Sequence, residues 1–195
     1  MDSYRGNSGP GGAIMGAMKH LLRLSIVAAA LSASAFSASN VRPKQAEEFG
    51  TIDSILKAVY GVISGPAGQK RDWGRMRSLF QPEAKMIAVG KTQAGEIRKR
   101  VFTVDEYIKG SGPYLEREGF FEKEVARRVE EYGNIAHVFS TYEARHKAGD
   151  AKPFMRGINS FQLWNDGKRW WVVNLFWQGE DGTTPLPEKY LKDGK

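Results

Sequence analysis

The sequence predicts an α+β fold, and three observations carry that reading. Helical periodicity is gathered in the segment just past residue 50, period-two alternation fills the second half, and short turn sequences separate the alternating runs. Helices gathered before a run of strands argue for helices packed on one face of a sheet rather than alternating βα units.

The first helix is expected from about Thr51 to Ser64, where Ile52, Ile55, Leu56, Val59, Tyr60 and Ile63 form one continuous apolar stripe. Gly65-Pro66 ends it. A second, shorter helix runs from Asp72 to Phe80, with Trp73, Met76 and Phe80 on one side, and Gln81-Pro82 closes it. Ala84 to Val89 reads as a strand. A third helix opens at Thr103, with Glu106 placed to satisfy the exposed N–H groups reciprocally, and Gly110-Ser111-Gly112-Pro113 should bend or break it before Tyr114. From Phe120 the period becomes two, with Phe121, Val125 and Val129 alternating with Glu122, Glu124 and Arg128. Gly133-Asn134 turns this strand into Ile135 to His146. The loop Lys147 to Pro153 leads to Met155 to Trp164, and Asn165 to Lys168 turns into Trp170 to Gln178. Four long strands joined by short turns make an antiparallel meander.

The 195 residues are 41% hydrophobic and 26% charged, enough for one well-filled core and neither disordered nor collagen-like. The formal charge is +7, of which Arg5, Lys19 and Arg23 against Asp2 contribute +2 from a segment expected to be removed. The remaining basic residues are interleaved with acidic ones, and the densest run, Arg98-Lys99-Arg100, has only three members, so no nucleic-acid partner is expected. Cysteine is absent, which excludes disulfides, thiolate metal sites and a thiol nucleophile.

Residues 1–39 read as an N-terminal extension and cleavable signal peptide. Lys19, His20 and Arg23 give a basic start, Leu24 to Leu31 an apolar stretch, and Ala33-Ser34-Ala35 a small-residue cleavage site. The apolar stretch is short for a spanning helix, so the protein is expected to be exported, periplasmic or secreted, with no membrane attachment after cleavage. One domain then covers residues 40–182, followed by a C-terminal tail at 183–195.

The last strand is apolar on both faces: Trp170, Val172 and Phe176 alternate with Trp171, Val173, Leu175 and Trp177. A sheet covered by helices on one face needs a second partner on the other. That partner is either a second copy of the chain, giving a homodimer through the sheet, or the tail from Thr183 to Leu191 folded back.

The order of elements, together with Arg71-Asp72-Trp73, Gly133 to Phe139, Arg156 to Ser160 and Arg169 to Asn174, resembles the nuclear transport factor 2-like superfamily. Within it, the chain is similar to the bacterial SnoaL-like (polyketide-cyclase-like) and ketosteroid-isomerase-like branch, over about residues 48 to 180. The resemblance implies a cone-shaped fold, with three N-terminal helices on a strongly curved antiparallel sheet and an apolar pocket between them. One activity is not implied, because the fold hosts isomerases, dehydratases, cyclases and adaptors.

The isomerases imply a helix phenol, matched by Tyr60, but their base and second acid have no match. The first strand offers Glu83-Ala84-Lys85-Met86-Ile87 and the later stretch Asn159, Ser160 and Gln162. The dehydratases imply paired imidazoles, and His137 is the one mid-strand histidine. Parity groups it with Phe139, Thr141, Glu143 and Arg145, opposite Val138, Ser140 and Tyr142, without saying which face is inside. Asp72 and Trp73 open a helix, where Asp is a cap or an acid and Trp core or pocket. Arg156, Asn159 and Asn174 fix a ligand if inward-facing or lie in the dimer contact if outward-facing. No metal-ligand spacing, phosphate loop or nucleophile elbow is present, so neither metal nor cofactor is expected.

The candidate pocket is therefore Tyr60, Trp73, Phe80, Tyr107, His137, Asn159, Asn174 and Trp177, with His137, Tyr60 and Asp72 as candidate catalytic groups. The expected function is binding of a small apolar organic molecule. A lyase or isomerase and a structural dimeric module are the alternatives.

Overall fold

The computed structural model describes residues 48–194; the expected signal segment lies outside them. Among the described residues, no helix is long and apolar enough to cross a membrane. Three α-helices and six strands follow in the order α1 (Ile52–Ile63), α2 (Trp73–Leu79), β1 (Phe80–Lys91), β2 (Ile97–Phe102), α3 (Val104–Glu118), β3 (Phe121–Tyr132), β4 (Ile135–Arg145), β5 (Met155–Asn165) and β6 (Trp170–Gly179).

Each helix starts where its cap dictates. Thr51 and Ser54 satisfy each other's backbone N–H at α1, Thr103 and Glu106 do so at α3, and the Asp72 carboxylate accepts from the Arg75 N–H at 2.8 Å. The expected stripe of α1 is buried at Ile55, Leu56, Val59, Tyr60 and Ile63. The third helix does not break at Gly110 to Pro113 but runs on to Glu118. Packing overrides the local sequence: the Trp73 ring lies against Gly112, where an added Cβ would sit 3.1 Å from it. The indole N–H meanwhile donates to Glu116 at 2.9 Å.

Arg71 fixes the ends of α1 and α3 together. Its buried guanidinium donates to the carbonyls of Ile63, Gly65, Pro66, Gln69 and Leu115 at 2.5–3.4 Å, satisfying groups that helix ends and a tight loop leave open. A Cβ at position 65 would lie 2.7 Å from that guanidinium and would have to displace it from these carbonyls.

The sheet order is β2-β1-β6-β5-β4-β3. The antiparallel meander runs from β3 to β6 as the turns predict, with Gly133 and Gly167 at positive φ. Two features exceed the local pattern. β1 joins β6 in parallel, pairing Met86 with Leu175 and Ala88 with Trp177, and β2 adds an edge strand containing the basic run Arg98-Lys99-Arg100. Register shifts interrupt β1, β3 and the β5–β6 pair, which lets the sheet bend around the helices.

The core lies between the helices and the inner face, where Val138, Phe161, Leu163 and Val172 are buried. On the outer face the C-terminal segment folds back over β3 and β4. The Thr141 hydroxyl donates to the Tyr190 carbonyl at 2.5 Å, and the Tyr190 ring meets Phe139 at 5.0 Å. Arg128 donates to the Lys189 carbonyl, and the Gly194 N–H donates to the Arg127 carbonyl. The rest of that face stays open: Val101 and Phe176 flank Ile87 on neighbouring strands, Ile135 sits opposite Trp164, and these four flanking side chains are exposed.

Candidate functional site

The three helices and the inner face of the sheet border a cavity of about 200 Å³. Val59 and Ile63 come from α1, Met76 from α2, and Tyr107, Ser111, Tyr114 and Leu115 from α3. The sheet side supplies Phe80, Met86, Phe120, Glu122, Tyr142, Met155, Asn159, Leu175 and Trp177. Glu122 is the one carboxylate of this lining, which contains no lysine, arginine or histidine.

Simple alternation would put Glu122 on the solvent face. The register explains why it faces inward: Glu122 pairs with Ala144 and Glu124 with Tyr142, both buried, and the strand then skips Val125 before Ala126 pairs with Thr141. The bulge reverses the parity, so Glu122 and Glu124 share the inner face with Arg127 and Val129. The α1 end fixes this stretch, since the Ser64 hydroxyl donates to the Tyr60 carbonyl at 2.7 Å and accepts from the Glu122 N–H at 3.0 Å.

A chain of hydrogen bonds leads outward from the carboxyl group. The Asn159 amide donates to Glu122 Oε1 at 3.0 Å and to the Tyr60 hydroxyl at 3.2 Å. With both amide hydrogens committed, the Tyr60 O–H turns to Ser140 Oγ at 2.7 Å, and Ser140 donates to Glu124 Oε1 at 2.5 Å. Glu124 is paired with Arg127 at 2.6 Å, and Arg127 with Asp53 at 2.5 Å. A second, more open cavity of about 500 Å³ lies on this side, between α1 and β3, and Tyr60, Glu122 and Glu124 border it too.

The two glutamates therefore differ. Glu124 has a guanidinium partner, whereas burial pushes the Glu122 carboxyl up to about 7, opposed only by the Asn159 hydrogen bond. Burial, with the charge of Glu122 second, pushes the phenols of Tyr60, Tyr107 and Tyr142 upward, so all three stay protonated. Among the described residues, no side-chain hydrogen bond engages the hydroxyl of Tyr107 or Tyr142. Tyr142 reaches its place because Gly157 opposite it has no Cβ; an added one would lie 2.6 Å from the phenol oxygen.

Of the residues expected at the pocket, Phe80, Tyr107, Asn159 and Trp177 line the cavity, with Tyr107 and Trp177 edge to face at 6.1 Å. Tyr60 stands behind Asn159, its hydroxyl engaged on both sides. Trp73 lies in the contact between α2 and α3, and Asp72 caps α2. His137 is on the outer face, bonded to Ser160 at 2.9 Å, because Val138 and Ser140 take the inward parity. Asn174 pairs with Gln162 and Lys85, and a one-residue shift at Val173 turns it outward with Phe176. Ser111, Tyr114, Glu122 and Tyr142 are the lining residues with polar groups that sequence reasoning missed. The signal for Glu122 was an Ala126 out of phase with Phe121, too weak to read as a bulge.

No known family model matches this sequence, and no curated protein does. Solved structures do. A protein of unknown function with a cystatin-like fold from Nostoc punctiforme matches at TM-score 0.50 and 12% identity, over 67% of this chain and 90% of that one. An NTF-2-like protein of unknown function from Silicibacter pomeroyi matches at TM-score 0.47 and 16% identity, over 70% and 98%. The fold is cystatin-like. A nuclear transport factor 2-like superfamily protein from Salmonella enterica matches at TM-score 0.46 and 15% identity, over 75% of this chain and 93% of that one. At these identities the likeness is one of fold, and the chemistry of this chain rests on its own residues.

Glu122 ties stability to pH. Below its ordinary value of 4.5 the carboxyl is protonated in folded and unfolded chains alike, and burial costs little. As pH rises through 4.5 toward 7 the unfolded chain ionises first, so stability falls. Glu122→Gln removes this loss: its stability relative to wild type should rise by on the order of 3 kcal/mol between about pH 4.5 and about pH 8 in urea unfolding. An identical pH response in both proteins would contradict the assignment.

Proposed function

We propose that the protein is exported and binds a small, mostly apolar organic molecule in the cavity between helices and sheet, with Glu122 and Asn159 meeting its polar group. One observation carries this reading: an otherwise apolar and aromatic cavity contains a carboxyl group whose charge nothing in the lining balances. Export rests on the sequence of residues 1–39. A second copy of the chain is the proposed partner for the open apolar part of the outer face, at Val101, Ile135, Trp164 and Phe176.

A second reading, an isomerase or lyase of the ketosteroid-isomerase-like or SnoaL-like kind, is favoured by the same carboxyl. A group with pKa near 7 takes and returns a proton at neutral pH, and the free phenols of Tyr107 and Tyr142 can donate to a developing oxyanion. In this reading Glu122, rather than His137 or Asp72, moves the proton.

Non-denaturing mass spectrometry of the protein recovered from its own host tests both. Wild type and His137→Ala should carry the same bound small molecule on a dimer, whereas Ser111→Phe, which fills the cavity, should lose it. Equal cargo on Ser111→Phe would contradict the site, and a single-chain mass would contradict the dimer. The isomerase reading further expects deuterium from heavy water in the recovered ligand, lost in Glu122→Gln.

A further inference from the structure

We propose that the ligand of the cavity is an apolar organic cation, a hydrophobic amine, held by the Glu122 carboxylate and by the faces of the surrounding aromatic rings. This rests on the binding reading above and narrows its ligand class.

Two independent features of the cavity point to positive charge. The first is the missing counterion. A buried carboxylate is stable only when hydrogen-bonded and balanced by an opposite charge. Glu124, two residues along the strand, has both, through Ser140 and Arg127. Glu122 has only the neutral amide of Asn159 on one oxygen, and among the described residues no hydrogen bond engages the other. The lining offers no lysine, arginine or histidine to complete the pair. A cation brought by the ligand would complete it.

The second feature is the aromatic lining. Phe80, Tyr107, Tyr114, Phe120, Tyr142 and Trp177 all border the cavity. Rings set around a space with a carboxylate at one wall recognise ammonium groups, because the ring faces carry partial negative charge and strip no hydrogen bond from the guest. Their apolar bodies, with Met76, Met86 and Leu175, accept the hydrocarbon part. In this cavity an anionic ligand would face Glu122 with no basic side chain of the lining to offset the repulsion, the lysines and arginines near Glu122 bordering the other cavity. A neutral alcohol would fill the same volume and leave the carboxylate unbalanced.

The closing experiment uses three probes of one shape, 2-phenylethylamine, 2-phenylethanol and phenylacetate, titrated calorimetrically at about pH 8, where Glu122 is ionised. The amine should bind at least tenfold tighter than the alcohol, equal to about 1.4 kcal/mol, and phenylacetate weakest. In Glu122→Gln the amine should lose that advantage, its affinity falling to within about twofold of the alcohol's in the same variant. Ser111→Phe should abolish binding of every probe. Equal affinities for amine and alcohol in wild type would overturn the amine inference and leave the binding reading intact. Amine binding undiminished in Ser111→Phe would place it elsewhere and overturn the inference. If none of the three binds, the binding reading fails with it.

Discussion

A carboxyl group in a largely apolar cavity whose lining holds no countercharge is the constraint around which the site is arranged. Ionised in isolation, such a group costs several kcal/mol, and the ordinary escapes are pairing, hydrogen bonding or protonation. The protein uses the second and third at Glu122 and leaves the first open. The surrounding apparatus sustains that state. The bulge in β3 turns the side chain inward, Ser64 pins its backbone to α1, and Asn159 gives it one amide hydrogen.

Beyond Asn159 the polar groups are satisfied in sequence, and this gives the site its rigidity. Tyr60 accepts from Asn159 and turns its own hydrogen to Ser140; Ser140 turns its hydrogen to Glu124, whose charge Arg127 balances. Every donor direction in the chain follows from the amide at one end and the ion pair at the other. Tyr60 thus orients Asn159, its hydroxyl engaged on both sides. At the helix ends the Arg71 guanidinium does comparable work, joining the carbonyls at the ends of α1 and α3.

Much of this arrangement is legible in the sequence because it is local. The α1 stripe, the Thr103–Glu106 cap and the two glycine turns depend on residues within a few positions of one another, and the structure has them where the pattern puts them. The departures have non-local causes. α3 survives Gly110 and Pro113 because Trp73, distant in sequence, packs into the space that Gly112 leaves. The parallel pairing of β1 with β6 joins segments about ninety residues apart, for which no periodicity speaks. At the site, Phe80, Tyr107, Asn159 and Trp177 were found by residue type and approximate position. Glu122 was hidden because one bulged residue reverses which side of β3 faces in, and a two-residue period assigns a glutamate to solvent unless that bulge is seen.

The ionisation of Glu122 tests this account most directly. In protein labelled with ¹³C at glutamate carboxyls, with Glu122→Gln identifying the signal by its disappearance, the Glu122 resonance should titrate with a midpoint near 7. A midpoint near the ordinary 4.5 would mean that water or an unseen charge reaches the carboxylate. The carboxylate would then be neither desolvated nor unbalanced, and the account built on it would fall.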